Sequence, residues 1–232
     1  MNNTLSVIVP IFNEEKYLQK SITNLARIEI FDKIILVDDC STDNSLLLAN
    51  NLKTKIENIV LLEKNKNEGK GSCIFEGKKE LNSSHVIFHD ADLEYNPKDI
   101  LEMYKKSKIY PNSLIVGSRT LNLELVKNRS RFLGLIQKIL CKLFTLLNGT
   151  KITDIASGYI LMPTSFLIDE IHEELGFGIE IEILSKAIRR KLSIIEVPIS
   201  YNGRKYSEGK KIKLKDGLNI LFKILKYSKF SI

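Results

Sequence analysis

The chain has 232 residues, 44% hydrophobic and 27% charged, the proportions of a soluble globular protein long enough to bury its own core. Its three cysteines, Cys40, Cys73 and Cys141, show no CxxC spacing and cannot all pair. That argues against a disulfide scaffold or a zinc ribbon and leaves them as small core side chains. The formal net charge of +7 is uneven: residues 186–232 hold 13 Lys/Arg against 3 Asp/Glu, a net of +10, which leaves −3 for residues 1–185. A basic end on a mildly acidic body calls for a local anionic partner, either phosphate groups or an anionic membrane surface. Nucleic acid is disfavoured because the basic segment carries no recognised binding motif. An apolar run begins at Leu5, with no room for a signal peptide, and no stretch reaches the roughly 20 residues of a spanning helix. The expectation is a cytoplasmic chain, with peripheral contact at the inner face of a membrane as an option.

Residues 5–9 read as a strand, and 14–27 as a helix with Tyr17, Leu18, Ile22 and Leu25 at helical spacing. A second strand over 33–37 leads to Ser41, the expected N-cap of a helix over 43–53 with acidic Asp43 in its first turn. A strand over 58–62, a helix over 70–81, a strand over 86–88 and a helix over 97–108 opened by Pro97 follow. A fifth strand covers 114–116. This alternation predicts an α/β fold with a Rossmann-like, mostly parallel central sheet and helices on both faces, in a single domain over residues 1–232. The later chain adds an amphipathic helix over 132–147, with apolar positions 132, 135, 136, 139, 140 and 143. It also adds a strand over 157–162, a helix over 180–190, and a strand over 192–197 that stops at Pro198.

Ligands of such sheets bind beyond the carboxyl ends of the strands. Asn13-Glu14 follow the first strand, Asp38-Asp39 the second, Asp90-Ala91-Asp92 the fourth and Ser118-Arg119 the fifth. The four polar clusters should therefore converge on one rim. In His89-Asp90-Ala91-Asp92-Leu93-Glu94, two carboxylates one residue apart offer hard oxygen ligands for Mg2+ or Mn2+, whose shell substrate phosphates would complete. Aspartyl-phosphate hydrolases also use D-x-D, but on the first strand and with Thr or Val two residues on, where this chain has Glu94. His89 reads as a rim residue rather than a ligand, and His85 and His172 as surface residues. Asp38 and Asp39 suit hydrogen bonds from a base edge or a ribose hydroxyl, since helix capping explains only Ser41 and Asp43. The Gly69-Lys70-Gly71 turn opens a helix near a nucleotide or is a plain helix start. No GxGxxG or GxxxxGK[ST] motif occurs.

Taken together, VIVPIFNEE at 7–15, VDDCSTD at 37–43, NEGKG at 67–71, HDADLEYNP at 89–97 and VGSR at 116–119 resemble a family 2 glycosyltransferase of the GT-A fold. TDIASGY at 153–159, GFGIEIEI at 176–183 and EVPISYNGRKYSEGKKI at 196–212 are similar to its dolichol- or polyprenyl-phosphate sugar synthase branch. The resemblance implies that Pro10, Phe12, Glu14, Val37, Asp38 and Asp39 cradle base and ribose. It implies that Asp90, Ala91 and Asp92 face the diphosphate, and that Asp90, Asp92 and Glu94 hold Mg2+ or Mn2+. Arg119, Arg204 and Lys210 match positions that contact donor diphosphate or acceptor phosphate, and Arg129 and Arg131 fall near the acceptor phosphate. Glu180 and Glu182 match a carboxylate pair that could include the base in relatives acting on hydroxyls. Asp92, Arg119, Arg204, Glu180 and Glu182 are thus the candidate catalytic residues. Ile160 departs from the pattern, standing where relatives often have Lys or Arg.

The implied activity is metal-dependent, inverting transfer of a sugar from a GDP- or UDP-linked donor to a polyprenyl phosphate. A glycan hydroxyl acceptor is the alternative among enzymes and would need Asp154, Glu180 or Glu182 as base. A catalytically silent nucleotide-sugar-binding scaffold is the alternative outside them. The C-terminal unit, 213–232, is a basic amphipathic helix with Leu218, Leu221, Phe222 and Leu225 on one face. It either closes the core or lies in a membrane interface. Lys205, Lys210, Lys211, Lys213 and Lys215, with Gly203 and Gly209 as hinges, read as a lid over donor phosphates.

Overall fold

The computed structural model describes residues 3–128, 130–170, 173–204 and 214–228, with the backbone alone for Arg131 and residues 214–217. Among the described residues nine strands form: β1 (Leu5–Ile11), β2 (Phe31–Asp38), β3 (Ile59–Glu63), β4 (His85–Phe88), β5 (Leu114–Ser118), β6 (Val126–Lys127), β7 (Ile160–Pro163), β8 (Ile194–Pro198) and β9 (Tyr201–Asn202). The helices are α1 (Leu18–Ala26), α2 (Ser45–Lys53), α3 (Lys70–Gly77), α4 (Asp99–Ile109), α5 (Arg131–Asn148), α6 (Thr164–Asp169), α7 (Ile179–Arg189) and α8 (Leu214–Tyr227). Seven strands make one sheet in the order β3-β2-β1-β4-β7-β5-β8, and β6 pairs with β9 in a small parallel ribbon.

The strands are short apolar runs because both faces of the sheet are covered. Side chains alternate across β1, with Val7 and Val9 entering one core and Ile8 the other. The first core is closed by Leu18, Ile22 and Leu25 of α1, Leu52 of α2, and Ile100 and Met103 of α4. The second is closed by Ile74 of α3, Phe144 of α5, Leu167 of α6, Ile183 of α7 and Ile224 of α8. Each fully buried Leu, Ile or Phe contributes roughly 1.5–3 kcal/mol relative to exposure.

One strand runs against the rest. β7 is antiparallel to both β4 and β5, with Leu161 opposite Ile87 on one side and Ile115 on the other. It therefore starts at the carboxyl rim of its neighbours, and the residues just before it are delivered to that rim. The predicted strand over 157–162 accordingly begins only at Ile160, because 157–159 belong to the rim. Ile160 itself is a buried strand residue paired with Val116.

Helix starts differ from expectation for local reasons. Glu14 carbonyl accepts from the Tyr17 and Leu18 amides, a turn that delays α1 to Leu18. Ser41 does not cap α2. Its hydroxyl accepts from the Asn13 amide at 3.1 Å, and the helix starts at Ser45 after Asn44. The predicted helix over 70–81 ends at Gly77 and finishes as a 3-10 turn over Lys78–Glu80.

The two amphipathic helices bury a narrower arc than their apolar positions span. On α8, Ile224 and Tyr227 face the core, whereas Leu218 and Phe222 are 71% and 62% exposed and Leu225 is also exposed. On α5, Leu140, Cys141 and Phe144 are buried, whereas Phe132, Leu135, Ile139 and Leu146 are exposed. α5 and α8 pack against each other. Among the described residues, no helix is long and apolar enough to cross a membrane.

Candidate active site

The loops after β1 and β2 are zipped together at the rim. Asn13 Oδ1 accepts from the Thr42 amide at 2.8 Å, Glu14 donates its amide to Ser45 Oγ at 2.8 Å, and Glu15 donates its amide to Asp43 Oδ2 at 3.1 Å. Asn13 and Cys40 reach this arrangement in the left-handed region, with φ of 53° and 60°. Asp38 and Asp39 sit behind the zip, both buried. Asp39 accepts from Lys64 Nζ at 2.6 Å and from the Glu68 and Gly69 amides at 3.1 and 2.7 Å, so it shapes the loop that leads into α3. Asp38 Oδ2 accepts from the Ser41 amide at 2.9 Å, while its Oδ1 is buried without a partner among the described residues. Pro10 and Phe12 line the same rim half-exposed, and the side chains of Val37 and Ala91 pack into the cores.

β4 ends in a tight turn whose Leu93 has φ 63°, an uncommon conformation for a branched side chain. The turn sends Asp90 and Asp92 to different cations. Asp90 Oδ1 lies 2.7 Å from Lys70 Nζ, which is also 2.8 Å from Glu180 Oε1. Burial alone would raise the Asp90 pKa, but the Lys70 charge outweighs it and holds the carboxyl below its usual range. Lys70 is likewise held protonated well above its usual range, since Asp90 and Glu180 outweigh burial. The lysine sits between two glycines for a steric reason. A Cβ on Gly71 would lie 1.9 Å from the Glu174 carbonyl, and Gly69 has φ 98°. A third glycine admits Asp90 itself, since a Cβ on Gly158 would lie 2.3 Å from Asp90 Oδ2.

Asp92 Oδ2 lies 3.0 Å from Arg204 Nη2, and Arg204 Nη1 lies 3.1 Å from Glu14 Oε2. Burial, together with the charges of Asp90 and Glu94, pushes the Asp92 carboxyl up to about 7. Glu94 accepts from Tyr201 OH and from the Arg204 amide, both at 2.7 Å, and so fixes the segment that follows β8. A cleft of about 550 Å3 opens beside Asp92 and Arg204, lined also by Tyr17, Asn24, Tyr95 and Asn202.

Arg119, at the end of β5, is buried and forks onto Asp154, with Nε 2.7 Å from Oδ2 and Nη2 2.8 Å from Oδ1. Gln137 and the Ala156 amide also donate to Asp154 Oδ1. With its oxygens engaged in this way, Asp154 is poorly suited to act as a base. Glu180 joins the site through Lys70, but Glu182 does not. The Glu182 carboxylate is buried and accepts from the Glu173 and Glu174 amides at 2.9 Å each and pairs with Lys186 at 2.8 Å, which anchors the loop seated on Gly71. Arg129 and Lys210 lie outside the described residues, as do the Arg131 side chain and the expected lid segment 205–213.

Two histidines are corrected by their surroundings. His89 is 1% exposed, not on the rim, with Nε2 3.0 Å from Ser21 Oγ and Nδ1 2.8 Å from Tyr159 OH. Burial lowers its pKa to about 4. His85, expected at the surface, is buried beside Ser84 and the Pro111 carbonyl. His172 lies outside the described residues. Residue order assigns Lys70 no role, and its one signal is a lysine bracketed by glycines at the start of a helix.

The D-x-D donors fit a divalent cation of the magnesium type. Both are hard carboxylate oxygens at a strand end, and Mg2+ characteristically takes one or two carboxylates and fills its shell with water and phosphates. Such a site needs no larger protein cage, and no group of three His, Cys, Asp or Glu poised for a metal occurs among the described residues.

Residues 6–169 match the family model for glycosyl transferase family 2. The chain belongs to that family. As a family 2 glycosyltransferase it is 28% identical over 240 residues to UDP-N-acetylglucosamine–dolichyl-phosphate N-acetylglucosaminyltransferase of Methanococcus voltae, covering 94% of each chain. It is 27% identical to undecaprenyl-phosphate 4-deoxy-4-formamido-L-arabinose transferase of Proteus mirabilis, covering 96% of this chain and 67% of that one. Its fold superposes on glucosyl-3-phosphoglycerate synthase from Mycobacterium tuberculosis, solved with Mn2+, uridine diphosphate and phosphoglyceric acid. The TM-score is 0.75 at 17% identity, over 97% of this chain and 78% of that one. The expected GT-A architecture is thereby borne out.

Proposed function

We propose that this glycosyltransferase moves a sugar, with inversion, from a nucleoside diphosphate donor to a polyprenyl phosphate at a membrane face, using Mg2+ or Mn2+. The observation that carries the reading is the meeting of Asp90 and Asp92 with Lys70 and Arg204 on one rim, the acids and cations that a metal and a diphosphate need together. The buried, unpartnered Oδ1 of Asp38 supports a nucleotide beside it, since a base N–H or ribose hydroxyl would supply the missing donor. Two relatives similar along at least 94% of the chain are named for transfer to dolichyl or undecaprenyl phosphate.

A divalent cation at Asp90 and Asp92 would supply positive charge where the leaving diphosphate becomes negative. Arg204 is within reach of the same phosphates, and Lys70 keeps Asp90 ionised and oriented. An acceptor phosphate oxygen attacks the anomeric carbon from the face opposite the diphosphate. The new C–O bond forms as the bond to the diphosphate oxygen breaks, and the nucleoside diphosphate leaves with the electron pair. A phosphate monoester is largely ionised near neutral pH, so no general base is required. Glu180 commits its carboxylate to Lys70 at 2.8 Å, which suits this acceptor better than a neutral hydroxyl.

The apolar rows left exposed on α5 and α8, flanked by exposed Lys138 and Lys142, suit an anionic membrane surface that presents the lipid. The test is nucleoside diphosphate release from a panel of GDP- and UDP-sugars with Mn2+, with and without a short-chain polyprenyl phosphate. Release that requires the lipid phosphate supports the proposal and identifies the donor. Release that ignores it overturns the acceptor assignment, and no release from folded protein overturns the activity.

A further inference from the structure

The two D-x-D carboxylates are balanced by cations of unlike character. Lys70 rises from the first turn of α3, is buried, and is shared between Asp90 at 2.7 Å and Glu180 at 2.8 Å. Its backbone is wedged against residues 174–176 by two glycines that no other residue could replace without a clash. Burial and two carboxylate partners within 2.8 Å together hold its ammonium on Asp90. Arg204 sits instead on the segment after β9, laid over the rim, with its guanidinium 5.4 Å from the Tyr17 ring centroid. Its contacts to Glu14 and Asp92 are made by the side chain alone, while its backbone amide is held separately by Glu94. The guanidinium can therefore swing without unseating the backbone.

Three carboxylates also crowd Arg204: Glu14, Asp92 and Glu94 lie 3.1, 3.0 and 3.8 Å from its guanidinium, a set of hard oxygen donors. Yet a cation on Asp92 Oδ2 and a guanidinium 3.0 Å from that oxygen would repel each other at close range in a site shielded from water. Asp92 can accept a metal only if Arg204 moves off it, and a displaced buried guanidinium needs another anion. A diphosphate offers one, with a geometry the arginine fork matches.

We infer that Arg204 is an exchangeable counter-ion that holds Asp92 closed to a divalent cation until a nucleoside diphosphate takes over its guanidinium, while Lys70 stays on Asp90 as a positioning residue. Metal and nucleotide then bind as a mutually dependent pair, each raising the affinity of the other by the same factor. The inference rests on the metal-dependent, nucleotide-sugar reading above and adds to it an order imposed by one side chain.

The test is Mn2+ binding to the full chain, read from the free-ion EPR signal without any turnover, with and without UDP or GDP. The unmodified protein should bind Mn2+ weakly alone and at least ~10-fold more tightly with a diphosphate. Arg204→Gln, without nucleotide, should bind Mn2+ at least ~10-fold more tightly than the unmodified protein, and the enhancement by diphosphate should shrink. Arg204→Lys keeps the charge but lacks the fork that bridges Glu14 and Asp92. It should shift Mn2+ binding in the same direction by less, and it serves if the glutamine variant misfolds. Unchanged or weaker Mn2+ binding in both variants, with diphosphate-linked binding intact in the unmodified protein, overturns the inference alone. Absence of Mn2+ binding to the unmodified protein even with diphosphate overturns the metal-dependent reading and the inference together.

Discussion

The Arg119 guanidinium lies fork-to-fork on the Asp154 carboxylate, at 2.7 and 2.8 Å, and so bolts the end of β5 to the segment that precedes β7. Both side chains are buried, so removing one partner strands a charge. Asp154→Leu should destabilise the protein by about 3–5 kcal/mol, and the double variant Arg119→Met/Asp154→Leu should recover much of that. Urea denaturation of the two variants checks it. Equal stability in both would mean that the pair is not the source of the loss.

His89 gives the fold a defined response to acid. Its pKa falls to about 4 on folding because burial disfavours the imidazolium. Between the unfolded value near 6.5 and 4, the unfolded chain takes up a proton that the folded chain refuses, so stability drops as pH falls through that window. The loss from this one group should approach about 3 kcal/mol by pH 4. Comparing the pH dependence of stability for the unmodified protein and His89→Gln isolates it, since the variant should have the shallower slope between pH 6.5 and 4.

Gly158 supplies the space that Asp90 occupies. Gly158→Ala would put a methyl 2.3 Å from Asp90 Oδ2, so the carboxylate must retreat toward Lys70 or the strand must shift. A displacement of that size at a reacting centre costs roughly 10- to 100-fold in turnover. Gly149→Ala makes a useful contrast. Unlike Gly158 it sits at positive φ, 73°, and its Cβ would meet nothing within 4 Å. It should cost about 1 kcal/mol of stability and leave turnover intact. Product release and thermal melts of both variants distinguish a lost site from a strained backbone.

The exposed apolar rows on α5 and α8 predict a separation of binding from stability. Phe132→Asp and Phe222→Asp alter side chains that are 61% and 62% exposed, so each should change stability by less than about 0.5 kcal/mol. Together they should abolish co-sedimentation with anionic vesicles while leaving turnover on a short, soluble polyprenyl phosphate unchanged. Retained vesicle binding would point to another surface.

Much of this arrangement was legible from residue order. The five early strands and their helices declared themselves through short apolar runs alternating with helical spacing, and the rim followed from the rule that ligands collect at strand carboxyl ends. Pairing was less visible. The direction of β7 depends on which neighbours flank it, and four apolar residues carry no trace of that choice. Lys70 was hidden because its partners, Asp90 and Glu180, come from distant segments. The burial of His89 and His85 is hidden for a related reason. Both are polar residues on β4 or at its end, but Ser21, Tyr159 and the Pro111 carbonyl, supplied from elsewhere, make their burial affordable. On α8, the apolar positions formed an arc wider than the core could cover, so periodicity found the helix but not its inward side.

The reversal of β7 divides the molecule's connections into two populations with different tolerance for change. The links over 54–58, 81–84 and 110–113 lie at the end of the sheet away from Asp90, where they join helices to the strands that follow. The segment over 149–159 ends at the same rim as the D-x-D turn. Epitope tags, fluorescent labels or whole inserted modules should therefore be accommodated at exposed positions of the first group such as Thr54, Lys55 and Asn82, clear of the Pro111 carbonyl that His85 uses, whereas one added residue in the second would carry Asp154 and Gly158 out of register with Arg119 and Asp90.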